Sequence, residues 1–325
     1  MKGTQHWHQI LGMATVASHD RILPCACCAA IGARIGAGAS AAVHVDTRDS
    51  AIVHKRFRSC EAFCAELALQ IELRARLGSI ANGDATLSDN ASDDHKAASI
   101  IREFVLLASA QHPPCEQNCV IFLNRAHGCD LESSISAIDR ESAASRRTLC
   151  LQAIAALEAL HRIGVCHGDF KAKNLLFAQP PQWSLSAAGA EDSVPLPPLR
   201  VCDVGGAHLF AAHELDGNAE FDRRRHDDWR KAAFLVAQLR LGLPYINGSG
   251  KSDDCATLLV LVNAAETDDE EDGEEAAEER EPEYVVSDKV LTRDPLLREL
   301  LAAPCGQLSA TALRRYANEP FPRSQ

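Results

Sequence analysis

The sequence predicts an α+β fold, and three observations predict it. Short β-branched and aromatic runs come early, as in AIVHK (residues 51–55) and CVIFLN (119–124). Between them, EAFCAELALQIELRARL (61–77) repeats its apolar residues at helical spacing. Further on, Leu149, Leu151, Ile154, Leu157, Leu160 and Ile163 mark a second helix that stops at Gly164, and HGDFKAKNLLF (167–177) passes from a polar loop into a strand-like Leu-Leu-Phe.

The elements follow in order. Residues 1–29 form an N-terminal extension in which His6, His8, His19, Asp20 and Arg21 interrupt every apolar stretch, which argues against a cleaved secretory leader. IGAGASAAVHV (35–45) holds Gly36 and Gly38, where the absent Cβ lets a backbone approach a phosphate closely, although an ordinary hairpin turn would also use them. In AIVHK, Lys55 follows Ile52 and Val53, so it belongs to a partly buried strand. The helix after it offers Glu61, Glu66 and Glu72 as partners for Lys55, with Glu66 the best placed. SIANGDATLSDNASDDH (79–95) reads as an inserted loop, and so does AQPPQWSLSAAGAEDSVPLPP (178–198). The second insertion sits at the tip of a hairpin whose outgoing strand is LRVC (199–202); loop entropy grows slowly with length, so the strands still pair. Asp203-Val204-Gly205 follows, with Gly205 expected to let the chain turn sharply.

His167, Asp169, Lys171 and Asn174 place four polar side chains in one short loop, a demand for groups held rigidly. The loop resembles the H-R-D-L-x-x-x-N catalytic loop of the protein-kinase superfamily. Asp203-Val204-Gly205 is similar to that family's D-F-G, AIVHK to its V-A-I-K, and residues 35–45 to its glycine-rich loop, with Ala41 at the third glycine and Val43 over the adenine. HDDWRKAAFLVAQLRLGLPYI (226–246) looks like the large buried helix of the family's C-terminal lobe, with Asp227 and Trp229 as its D-x-W start, and LSATALRRYANEPF (308–321) loosely resembles the final helix region. These fragments occur in family order between residues 30 and 321, which is harder to obtain by chance than any one of them. The chain has only eight lysines, and two of them, Lys55 and Lys171, fall where a kinase requires them.

The resemblance implies a two-lobed kinase-like fold, with a β-rich N-lobe at 30–123 and a hinge and mainly helical C-lobe at 124–325. It implies an ATP-dependent phosphotransferase using Mg²⁺. Asp169 and Lys171 would be catalytic, Asp169 orienting the attacking hydroxyl. Gly36, Gly38, Val43, Lys55, Glu66 and the hinge residues Asn124, Arg125 and Ala126 would hold the nucleotide, and Asn174 and Asp203 the metal ion. Lys171 favours Ser/Thr protein substrates. The chain also departs from the pattern. Val204 replaces the D-F-G phenylalanine, Gly168 replaces the H-R-D arginine that reads a phosphorylated activation loop, and only 24 positions separate Asp203 from Asp227. A small-molecule kinase of the related fold, or a pseudokinase acting as a binding scaffold, are the alternatives.

The formal net charge of −12 is local: residues 266–283 hold twelve Asp or Glu and one Arg, a net −11 that leaves about −1 for the rest. That tract reads as a solvated, disordered loop or as a contact for a basic partner. No apolar run is long enough to span a membrane, and neither a nucleic-acid nor a membrane partner is expected. Thirteen cysteines, an odd number with several inside expected core elements, read as reduced thiols of a cytoplasmic protein; Cys25 and Cys28 have metal or redox spacing.

Overall fold

The computed structural model describes residues 29–82, 91–183, 196–241, 259–261 and 284–320, apart from 39, 110, 111, 113, 139, 140, 212, 213, 287, 305 and 306. The Cys25 and Cys28 pair and the acidic tract lie outside the described residues. The chain divides into two compact units, Met1–Ala75 with Leu106–Arg125, and Arg76–Val105 with Ala126–Gln325. The first carries a β-sheet and the second is mainly helical, an α+β fold of the kinase-like kind.

In the first unit, β1 (Ile31–Ala37), β2 (Ala41–Asp46), β3 (Ile52–Phe57) and β4 (Val120–Asn124) form an antiparallel sheet in sequential order. Side chains alternate across a strand, so Val53, Lys55 and Phe57 of β3 share one face, opposite Leu123 and Ile121 of β4. Helix α1 (Cys60–Asn82) covers that face with Phe63 and Leu67, one turn apart, and Phe63 meets Phe57 edge to face at 5.9 Å. Burial of such side chains contributes roughly 1.5–3 kcal/mol each. The other face holds Ile52, Val120 and Phe122, with His54 Nε2–H donating to Asp46 Oδ2 at 2.6 Å.

The second unit is built around α4 (Ala143–Arg162), whose Leu149, Ile154, Leu157 and Leu160 are fully buried. Helices α2 (Ala91–Phe104), α5 (Ala219–Leu241) and α8 (Ala310–Asn318) pack on it; the short α3 (Ile135–Ile138) and the helices α6 (Asp288–Arg293) and α7 (Pro295–Leu301) complete the described helical part. Ser142 caps α4 by accepting from Ser145 N at 3.1 Å. Gly164 ends it at φ +76°, where a Cβ would stand 2.5 Å from Phe210 O. Among the described residues, three two-stranded antiparallel ribbons accompany the helices: β5 (Val165–Cys166) with β8 (His208–Leu209), β6 (Leu175–Phe177) with β7 (Leu199–Val201), and β9 (Leu259–Leu261) with β10 (Tyr284–Val286). The β6–β7 ladder is the expected hairpin, continued by Ala178 N donating to Pro198 O at 2.8 Å.

Two expectations of the sequence are corrected. Residues 79–95, read as a loop, are helical at both ends: α1 runs to Asn82 because Ile80 is buried, and α2 begins at Ala91. Asp93 and Asp94, which made the stretch look like a loop, are first-turn acids suited to a helix N-terminus, and both pair with Arg162 at 3.1 Å. The large helix α5 starts at Ala219, so Asp227 and Trp229 lie in its interior rather than at its start.

Candidate active site

In the first unit, Lys55 projects from the α1-covered face of the sheet and is only 6% exposed. Its Nζ lies 2.6 Å from Glu66 Oε2, itself 2% exposed, and 5.3 Å from the centre of the Phe57 ring. Helical geometry selects Glu66 among the three acids. It shares a stripe with Phe63, Leu67 and Gln70, at spacings of three and four, whereas Glu61 and Glu72 face outward. In the glycine-rich hairpin, Gly36 pairs with Val43, and Gly38 N donates to Ala41 O at 2.8 Å. A Cβ at Gly36 or Gly38 would meet only ordinary contacts, at 3.8 and 4.0 Å, so no close approach within the unit requires glycine there. Asn124 ends β4, Arg125 N donates to Ala51 O at 2.8 Å, and the division between the units falls between Arg125 and Ala126.

In the second unit, the loop after β5 is held from beneath by a buried carboxylate. Asp228 of α5 accepts from His167 N at 2.7 Å and Gly168 N at 2.9 Å, and its Oδ2 lies 2.9 Å from His161 Nε2. Burial pushes the Asp228 pKa up, but the His161 and backbone hydrogen bonds outweigh it and hold the carboxyl below its usual range. Lys231, one turn further along α5, donates to Gly168 O. Burial pushes His167 down, so its imidazole is neutral; Nε2–H donates to Cys202 O at 3.2 Å while Nδ1 accepts from Asp169 N at 3.3 Å. His167 is thus a fully buried bridge between the loop and the chain leaving β7.

Gly168 is required by two independent conditions. Its φ of +79° is costly for any side chain, and a Cβ would stand 2.5 Å from Gly206 O. The turn beyond it presents Asp169, whose half-exposed carboxylate gathers two neighbours: Lys171 Nζ at 2.7 Å and Asn174 Nδ2 at 3.0 Å from the same Oδ2. Asn174 Nδ2 also donates to the Asp169 carbonyl at 2.8 Å, which turns its Oδ1, an acceptor, to the opposite side. Cys202 N donates to Asn174 O at 2.9 Å, so Asn174 and Asp203 are near neighbours across the β6–β7 ladder. Asp203 itself takes the left-handed conformation, φ +59° and ψ +59°, before a 3-10 turn over Val204–Gly206. The sharp turn expected at Gly205 therefore falls on the aspartate, a residue type that tolerates this region better than most.

Sequence reasoning missed Asp228, His161 and Lys231. It placed weight on Asp227, which lies on the solvent side and pairs with Arg223 at 3.4 Å. Helical periodicity held the signal: Phe221, Asp228, Ala232 and Leu235 fall on one buried stripe, and a carboxylate on such a stripe needs partners.

No protein-family model matches the chain. Two curated proteins of Arabidopsis thaliana do align with it. Serine/threonine-protein kinase SRK2J is 26% identical over 140 residues, 38% of this chain and 37% of the relative. Serine/threonine-protein kinase SRK2H is 24% identical over 170 residues, 45% of this chain and 43% of the relative. The chain is distantly similar to serine/threonine protein kinases. It spans less than half the length of these relatives. Among the described residues, no helix is long and apolar enough to cross a membrane.

Proposed function

We propose that the chain is a phosphotransferase that uses ATP and Mg²⁺ and phosphorylates Ser or Thr on proteins. The observation that carries this reading is the half-exposed carboxylate of Asp169, with Lys171 and Asn174 gathered on it and Asp228 fixing the backbone below. Asp169 orients the acceptor hydroxyl and takes its proton at a carboxylate oxygen. Lys171 leaves that oxygen to meet the negative charge of the phosphoryl group. Lys55, held by Glu66, serves the α- and β-phosphates, and Gly36, Gly38 and Val43 with the 124–126 segment serve the rest of the nucleotide. Asn174 and Asp203 offer an amide and a carboxylate oxygen, the hard donors that Mg²⁺ takes, and would hold it. When bound, the ion neutralises phosphate charge. Positioning and electrostatics then supply most of the acceleration.

The acceptor is tested by the same experiment. The purified chain is incubated with labelled ATP and Mg²⁺, with generic protein substrates and with small hydroxyl metabolites, beside Asp169→Asn. Label on protein that falls at least about 100-fold in the variant is expected. Equal labelling by both forms sinks the assignment of Asp169. One observation favours a small-molecule acceptor as a second reading: Gly168 cannot be an arginine, so the loop lacks the cation that senses a phosphorylated activation segment. Transfer confined to the metabolites would establish that reading, and silence with every acceptor would leave a binding scaffold.

A further inference from the structure

Two cysteines far apart in sequence meet in the first unit. Cys60 Sγ and Cys119 Sγ are 3.0 Å apart, inside the van der Waals separation of two sulfurs, although 59 positions separate them. Cys60 is the first residue of α1 and is partly accessible; Cys119 is 2% exposed, at the turn before β4. The backbone around them is fixed. Phe57 N donates to Cys119 O at 2.9 Å, and Cys119 adopts φ +49°, a left-handed conformation that few residues other than glycine occupy. Both side chains belong to the apolar cluster between α1 and the sheet, and that packing holds one sulfur on the other.

We propose that Cys60 and Cys119 form a redox-active dithiol that two-electron oxidants such as peroxides convert to a disulfide. The accessible Cys60 sulfur attacks the peroxide, the O–O bond breaks, water leaves and Cys60 becomes a sulfenic acid. The Cys119 sulfur then attacks Cys60, its proton goes to the departing hydroxyl, and a second water leaves with the S–S bond formed. Two thiols are oxidised by two electrons and one peroxide is reduced to two waters. Burial and the neighbouring sulfurs push the Cys119 thiol up, and its burial keeps it from meeting the peroxide first. Burial, with Cys60 and Glu116 nearby, also pushes the Cys64 thiol up. The bridge would tie the start of the helix bearing Glu66 to the strand paired with the one bearing Lys55.

The test is chemical and independent of phosphoryl transfer. The full chain is treated with about one equivalent of hydrogen peroxide, free thiols are alkylated, and the unreduced digest is read by mass spectrometry. A reducible peptide pair containing Cys60 and Cys119 is expected, together with a rise of several degrees in thermal midpoint because a long loop is closed. Cys60→Ser abolishes both, while Cys64→Ser leaves both in place. Oxidation that joins Cys60 to Cys64, or Cys115 to Cys119, or that leaves Cys60 and Cys119 alkylated while other thiols react, overturns the proposal. So does one equivalent of zinc that shields Cys60, Cys64, Cys115 and Cys119 together from alkylation.

Discussion

A lysine–carboxylate pair at hydrogen-bond distance is found in each unit, and these two pairs live in opposite surroundings. Lys55–Glu66 lies in an apolar core between sheet and helix, its side chains 8% and 3% exposed. Lys171–Asp169 stands in solvent, with side chains 40% and 46% exposed. The interior pair is attracted strongly and also pays a large desolvation cost, so it holds only while both members are present. The exposed pair contributes little to stability and can be exchanged for another partner at low cost. In the proposed function these are the required properties: the first lysine is a fixed post, and the second must part from its aspartate in each turnover. The rigidity that the exposed loop lacks in its side chains comes from its backbone, through Asp228.

The strongest attack on this contrast is Asp228→Ala. It strands two backbone N–H groups and the His161 imidazole in a buried site, and a loss of about 3–5 kcal/mol in urea unfolding is expected. A loss below about 1 kcal/mol would show that the loop does not depend on α5. Next comes Glu66→Ala, which removes the carboxylate 2.6 Å from the buried Lys55 ammonium and is expected to cost about 3 kcal/mol. The double variant Lys55→Met with Glu66→Leu should recover most of that loss in the same titration, because two apolar side chains replace two buried charges. Smallest is Lys171→Ala, with a change in stability under about 1 kcal/mol. A larger change there would mean the exposed pair is structural, and the comparison between the units would fail.

Much of this was legible in the sequence, and the physical reasons are specific. Lys55 and Glu66 could be read because each sits in a regular element whose period reports its face: two residues for Val53, Lys55 and Phe57, three to four for Phe63, Glu66 and Leu67. Asp169, Lys171 and Asn174 were legible because they lie within six positions of one another. Asp228 was hidden by its neighbour, since Asp-Asp-Trp offers two carboxylates and only the buried stripe of α5 tells them apart. A sharp turn was expected at Gly205, and the left-handed residue beside it is Asp203, because nothing linear marks an aspartate that takes that conformation. The Cys60–Cys119 contact left no local trace, since the residues meet only when α1 and β4 settle against β3.

The collision at position 168 sets a boundary for protein engineering. Grafting phosphate-responsive control onto this chain by a single arginine exchange is closed off, because the Gly206 carbonyl occupies the space where the new side chain must begin. A designer would have to relocate the 204–206 turn first, and Asp203 would travel with it.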